Sequence, residues 1–157
     1  MTDSSEPTEF PAFGRLLGLD FGTRRIGIAV CNDEQTISSP LENYTRRSEQ
    51  TDFADLVSLA REYSVKGLVV GLPVHMSGDE GQQAKQARAF GEKLAELTRL
   101  PIRFWDERYS SVQADAFLHS AQLTRNQRKA RRDKLAAQII LQSFIDAADR
   151  DGKPRQL

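Results

Sequence analysis

The chain has 157 residues, of which 39% are hydrophobic and 28% charged, and its 22 basic and 22 acidic side chains give a formal net charge of zero. That length suits one domain with a real core and is too short for two, and the composition is that of an ordinary soluble globular protein. No apolar run approaches the roughly eighteen residues that cross a bilayer, and the N-terminus is acidic and proline-bearing, so neither a membrane span nor a signal peptide is expected and a cytoplasmic location follows.

Met1 to Gly14 is rich in Ser, Glu, Thr and Pro without periodicity, which reads as a disordered leader before a domain over 15–150. Leu16 to Val30 then holds a short apolar strand ending in Asp20, a turn bearing Gly22, and a second apolar strand: a hairpin with a carboxylate at its mouth. A buried carboxylate without a partner costs several kcal/mol, so Asp20 needs a cation, a donor or water. An Asp bonded to its own turn is the plain alternative. Cys31 closes the second strand. It has no second cysteine with which to pair, and is read as a small buried apolar group.

Asn32-Asp33-Glu34 marks a turn, and Thr36 to Ser39 is expected as a third strand, closing a meander and ended by Pro40. From Ser48 the spacing turns helical, with Phe53, Leu56, Val57 and Ala60 on one stripe. Val65 to Gly71 is a continuous apolar run of the kind found in a strand covered on both faces, expected parallel to the first. A loop from Leu72 to Gly81 leads to a second helix over 82–98 that buries Ala84, Ala87, Phe90, Gly91, Leu94 and Leu97. Ile102-Arg103-Phe104-Trp105 forms another strand and ends in the acidic pair Asp106-Glu107. Ser110 or Ser111 is a candidate cap for a short helix through Leu118. A polar, increasingly basic stretch from His119 to Arg132 precedes a last helix over 131–149 and a tail over 151–157.

The order β-β-β-α-β-α-β-α implies a three-strand antiparallel meander extended by right-handed crossovers to two parallel strands: a mixed α/β sheet flanked by helices, with the first strand central. Sites in such sheets gather at the carboxyl ends of the strands, where Asp20 and the pair Asp106-Glu107 stand. Asp133 lies three and four residues before Ala136 and Ala137 on the apolar stripe of the last helix, a place where a carboxylate is anomalous. Three acids without His or Cys are hard oxygen ligands suited to Mg²⁺ or Mn²⁺, and a two-metal site is a recurrent solution for phosphodiester hydrolysis.

Around these acids run cations. Arg24, Arg25 and Arg108 are placed to hold phosphate oxygens or to pair with the acids. Arg125, Arg128, Lys129, Arg131, Arg132 and Lys134 face only Asp133 over residues 125–134, a local charge of +5 on a body that otherwise sums to −5. Such a segment fits a protein that meets a polyanion at one place, with a solvated polar loop as the plain alternative. His75 and His119 are weak candidates for proton shuttles beside ordinary solvated histidines.

Leu19-Asp20-Phe21-Gly22-Thr23-Arg24-Arg25-Ile26-Gly27-Ile28-Ala29, Val69 to Pro73 with Met76 and Gly78, Asp106 to Ser111, and Asp133 to Ala137 resemble, in order and spacing, the motifs of the YqgF (RuvX) family. The resemblance spans 16–148. It implies an RNase H-like fold, similarity to the RuvC Holliday junction resolvases, and nuclease processing of the 5′ end of precursor 16S ribosomal RNA, with precursor rRNA or branched DNA as partner. Asp20, one acid of the Asp106-Glu107 pair and Asp133 match the family's acidic triad. Glu107 is the first choice for the middle member and Asp106 the second, because the longer side chain spans the gap across an intervening strand better, and Gly71 on that strand leaves the space open. In this reading Asp20 bridges two ions that activate water and stabilise the leaving 3′ oxygen, and Glu107 and Asp133 complete the coordination. His75 and Ser77 depart from the Asn and Asp common in the family. The strand over 65–71 also lacks the terminal acid of RuvC-type resolvases, which weighs against junction cleavage.

Two other classes compete. Asp20-Phe21-Gly22-Thr23 also resembles the first phosphate loop of actin-like ATPases and sugar kinases, but those hold nucleotide between two domains and this chain has room for one. A non-catalytic RNA-binding or transcription-associated module would keep the fold and the basic segment, yet has no need of three retained acids.

Overall fold

The structure, a computed structural model, describes residues 9–73, 77–108, 125–147 and Arg150, and over 125–134 it describes the backbone alone. The sheet is built outward from the apolar strand at its centre. β1 (Leu16–Phe21) pairs antiparallel with β2 (Arg25–Cys31), which pairs antiparallel with β3 (Ser38–Thr45). On its other side β1 is parallel to β4 (Gly67–Leu72), and β4 to β5 (Ile102–Asp106), so the order is β3-β2-β1-β4-β5. This is the expected meander plus two parallel strands. All six residues of β4 are buried, as a strand covered on both faces requires.

Side-chain alternation along the strands divides the core into two layers. Leu17, Leu19, Leu68 and Val70 pack with Phe53, Leu56, Phe90 and Leu94 of α1 (Glu49–Glu62) and α2 (Gln82–Thr98). Leu16, Ala29, Val69 and Trp105 pack on the other face with Ile140, Leu141 and Phe144 of α3 (Arg125–Asp146). Gly18 lets that helix approach closely: a Cβ there would stand 2.8 Å from Leu141 Cβ. Trp105 seals the layer by donating from Nε1 to Ser143 Oγ at 2.9 Å. Ser48 caps α1, its hydroxyl accepting from the Thr51 N–H at 3.1 Å.

Several expectations are corrected. β3 starts at Ser38 and runs through Pro40 to Thr45. Proline survives here because β3 is an edge strand and the register slips beside it, with Ile28 opposite Glu42 but Ala29 opposite Pro40. The last helix begins at Arg125, so the basic stretch expected as a loop forms its opening turns: Arg, Gln, Lys and Ala are good helix formers with no Gly or Pro among them. That helix ends at Asp146, short of Asp149. Leu97 is 45% exposed, beside the groove between α1 and α2. The leader expected to be disordered through Gly14 is docked from Phe10, whose ring meets Phe144 edge-on at 5.4 Å. The Gln35 side chain holds the same segment by donating to the Pro11 and Gly14 carbonyls. The short helix expected after Ser110, together with His75 and His119, lies outside the described residues.

Candidate active site

β1 carries Asp20 to the carboxyl end of the sheet on the α3 side, since Asp20 alternates in phase with Leu16 and Gly18. Its neighbours on both flanking strands are glycines. Gly27 pairs with Asp20 across β2, and Gly71 follows Val70, the partner of Leu19, on β4. The floor around the carboxylate is therefore bare backbone.

Glu107 uses the space over Gly71. A Cβ built on Gly71 would stand 2.9 Å from Glu107 Oε2 and 3.0 Å from its Cγ, so the glutamate side chain lies directly across β4. It reaches Asp20 with a hydrogen bond. Burial first, then the negative charge of Asp20, the hydrogen bond to it and the charge of Asp106 push the Glu107 carboxyl up to about 8. All of these causes favour the neutral form of Glu107 beside the Asp20 carboxyl.

Asp106 turns elsewhere. Its carboxylate accepts from the Arg108 backbone N–H at 2.9 Å and from Arg108 Nε at 2.9 Å, and forms an ion pair with the same guanidinium. Adjacent residues at the strand end thus separate, Glu107 to Asp20 and Asp106 to Arg108. Arg108 is occupied by that pair.

Arg24 lies in the β1–β2 turn and Arg25 opens β2, and both are exposed. With Asp20, Gly22, Gly27 and Asn43 they line a cleft of about 320 Å³. Asn43 lies opposite Gly27, which lies opposite Asp20, so all three share one row across the sheet. Nothing in the sequence singles out Asn43, because only the strand register brings it to the carboxylate.

The third acid belongs to α3. Ala137 packs at the same point of the sheet, its Cβ 3.4 Å and the Asp20 Cβ 3.5 Å from a Cβ built on Gly27. Asp133 precedes Ala137 by four residues, one helical turn, on the same face of the backbone. Its side chain, and those of Arg125, Arg128, Lys129, Arg131 and Arg132, lie outside the described residues. Among the described residues no group of three or more His, Cys, Asp or Glu could hold a metal ion. The described acids instead form a pair.

Comparison with known proteins adds an independent line. The family model RuvX, described as Holliday junction resolvase, matches residues 14–147. Curated relatives bearing the name "Putative pre-16S rRNA nuclease" match over most of both chains. The one from Rhodopirellula baltica is 39% identical over 146 residues, covering 93% of this chain and 84% of the relative. That from Rhodobacter capsulatus is 44% identical, covering 87% and 86%. That from Caldanaerobacter subterraneus is 42% identical, covering 85% and 96%. Among solved structures, Thermus thermophilus RuvC in complex with a Holliday junction substrate superposes with a TM-score of 0.56 at 11% identity, over 83% of this chain and 92% of that one. That likeness is one of fold alone, that of an RNase H-like mixed sheet.

Proposed function

The chain belongs to the RuvX family, and from that membership and its own site we propose that it is a metal-dependent nuclease that hydrolyses phosphodiester bonds of precursor 16S rRNA. The observation that carries the reading is Glu107 reaching over Gly71 to Asp20. Two carboxyl groups forced together in a half-buried place, with glycine on both sides of Asp20, form an oxygen-lined seat that a proton fills and that fits a hard divalent cation. Asp20, Glu107 and Asp133 would hold Mg²⁺ or Mn²⁺, which when bound supplies charge neutralisation and activation of water for phosphodiester hydrolysis.

The chain's own residues do the rest. Arg24 and Arg25 border the cleft beside Asp20 and offer guanidinium donors to the phosphate at the site. Asp106 keeps Arg108 turned toward the end of β5 by a charge-assisted bond. The cations in the opening turns of α3 attract the flanking phosphates without reading sequence. The relatives named for a pre-16S rRNA substrate match nearly end to end, which favours RNA over a DNA junction for this chain.

The test is cleavage of end-labelled RNA carrying a 5′ extension of 16S rRNA, beside a four-way DNA junction, with Mg²⁺, Mn²⁺ or chelator. Cleavage of the RNA that needs the ion and disappears in Asp20→Asn and Glu107→Gln is the expected result. Cleavage confined to the junction would make this chain a resolvase. RNA binding without cleavage under any ion would make it a non-catalytic module.

A further inference from the structure

On the face of the sheet opposite α3, a buried charge has no place in the chemistry described above. Asp52, in the first turn of α1, is 0% exposed, an expensive position for a carboxylate unless donors surround it. They do. It accepts from Tyr44 Oη at 3.0 Å, from the Arg47 backbone N–H at 2.9 Å and from Arg46 Nε at 3.2 Å. Burial alone would raise its pKa, but these donors hold it below the usual carboxylate range.

What Asp52 secures is Arg46, and Arg46 secures the turn that follows Asp20. The Arg46 backbone N–H donates to the Arg24 carbonyl at 2.9 Å, and its Nη1 donates to the Gly22 carbonyl at 3.2 Å. The same guanidinium lies 4.6 Å from the centroid of the Phe21 ring. The turn has little slack: the Gly22 N–H donates to the Arg25 carbonyl at 2.9 Å, and a Cβ on Gly22 would stand 2.6 Å from that oxygen. Arg46 therefore grips three parts of the segment after Asp20, namely the ring of Phe21, the carbonyl of Gly22 and the carbonyl of Arg24.

We propose that Arg46, locked in place by buried Asp52, is a positioning residue for the nuclease site, holding the β1–β2 turn so that Asp20, Arg24 and Arg25 keep their arrangement around the scissile phosphate. Three features favour this over a merely structural ion pair. Arg46 bonds the backbone of the site-bearing turn and not only its carboxylate partner. The cations it orders, Arg24 and Arg25, line the cleft with Asp20. A planar guanidinium serves Asp52, Gly22 and Phe21 at once, which a lysine cannot. Small displacements of catalytic groups cost orders of magnitude in rate. The inference rests on the nuclease reading, and one arm of its test is independent of that reading.

Arg46→Lys and the double variant Arg46→Met/Asp52→Asn, which leaves no buried charge unpaired, are compared with Leu94→Ala, a core change in α2 that removes none of the Arg46 contacts. In the metal-free proteins, hydrogen–deuterium exchange of the 21–27 segment should rise in both Arg46 variants at least about tenfold beyond what their loss of global stability explains, a relation that Leu94→Ala calibrates. With Mg²⁺ and substrate, kcat should fall between about 10- and 100-fold with KM changed less than about threefold, at a temperature where all variants are folded. A folded Arg46→Lys protein with wild-type exchange in this segment, or with kcat within about twofold of wild type, overturns the proposal. If the double variant fails to fold, Arg46→Lys alone decides. Absence of metal-dependent cleavage by the wild-type chain would sink the nuclease reading, while the exchange arm still decides whether Arg46 holds the turn.

Discussion

The contact between Asp20 and Glu107 favours one shared proton in the metal-free protein, and the sign of its effect on stability follows from the raised titration of Glu107. A free glutamate loses its proton near pH 4.3, whereas Glu107 is held up to about 8 by burial and by Asp20. The folded state thus binds more protons than the unfolded one between these values, and the contribution of Glu107 to stability falls as pH rises through that window. Glu107→Gln imitates the neutral form. Its melting temperature without metal should match wild type near pH 4 and exceed it by about 3 °C or more at pH 9, and an equal difference at both pH values would contradict the shared proton. Gly71 gives a second test at the same scale. Gly71→Ala would place a methyl 2.6 Å from Ile140 Cδ1 and 2.9 Å from Glu107 Oε2, so urea unfolding should show a loss of about 1–3 kcal/mol, and RNA cleavage should drop at least tenfold. Gly27→Ala meets no atom closer than 3.4 Å and should alter stability by less than about 1 kcal/mol. A reversed order would mean that Glu107 does not depend on the gap over Gly71.

At the scale of elements, α3 combines two jobs along one axis. Its second half is core, with Ile140, Leu141 and Phe144 buried, and its first turns are the most basic part of the chain. A cluster of like charges in the opening turns of a helix adds little to its stability and suits a polyanion. Removing one cation that neutralises a phosphate of a single strand lowers the salt slope of log K by about 0.7, so Arg125→Ala/Arg128→Ala should flatten the slope by about 1.4. Titration into single-stranded RNA with Ca²⁺ in place of Mg²⁺ measures this, and an unchanged slope removes both residues from the binding surface. β3 shows the opposite economy. Its proline and register slip mark an edge strand that does not extend the sheet further, while Asn43 on the same strand completes the row with Gly27 and Asp20.

For the molecule as a whole, the sheet separates two cores with different relations to the site. Leu94 and Leu141 are both 0% exposed, the first on α2 and the second on α3 against Gly18. Truncating either to Ala should cost about 2–5 kcal/mol. Only Leu141→Ala loosens the helix that bears Asp133, so at a temperature well below both melting transitions it alone should lose RNA cleavage, and equal activities would separate the seating of α3 from the site. Much of this architecture is legible in the sequence, since apolar runs, helical spacing and turn residues are local signals: they determine the order of the elements, the central strand, Asp20 at its end, and the family motifs. Where the signal is a breaker or a charge run it misleads. Pro40 suggests the end of a strand, yet an edge position tolerates it, and the charges from Arg125 onward suggest a loop although the residues that carry them favour helix. The choice of Glu107 over Asp106 as the partner of Asp20 is also legible, from side-chain length and the gap at Gly71, whereas the row through Gly27 to Asn43 and the grip of Arg46 and Asp52 on the turn are decided by tertiary structure, because each depends on strand register and on which face of the sheet a residue meets. Those distances come into being only when segments far apart in the chain are packed together, and no local pattern of residues encodes them.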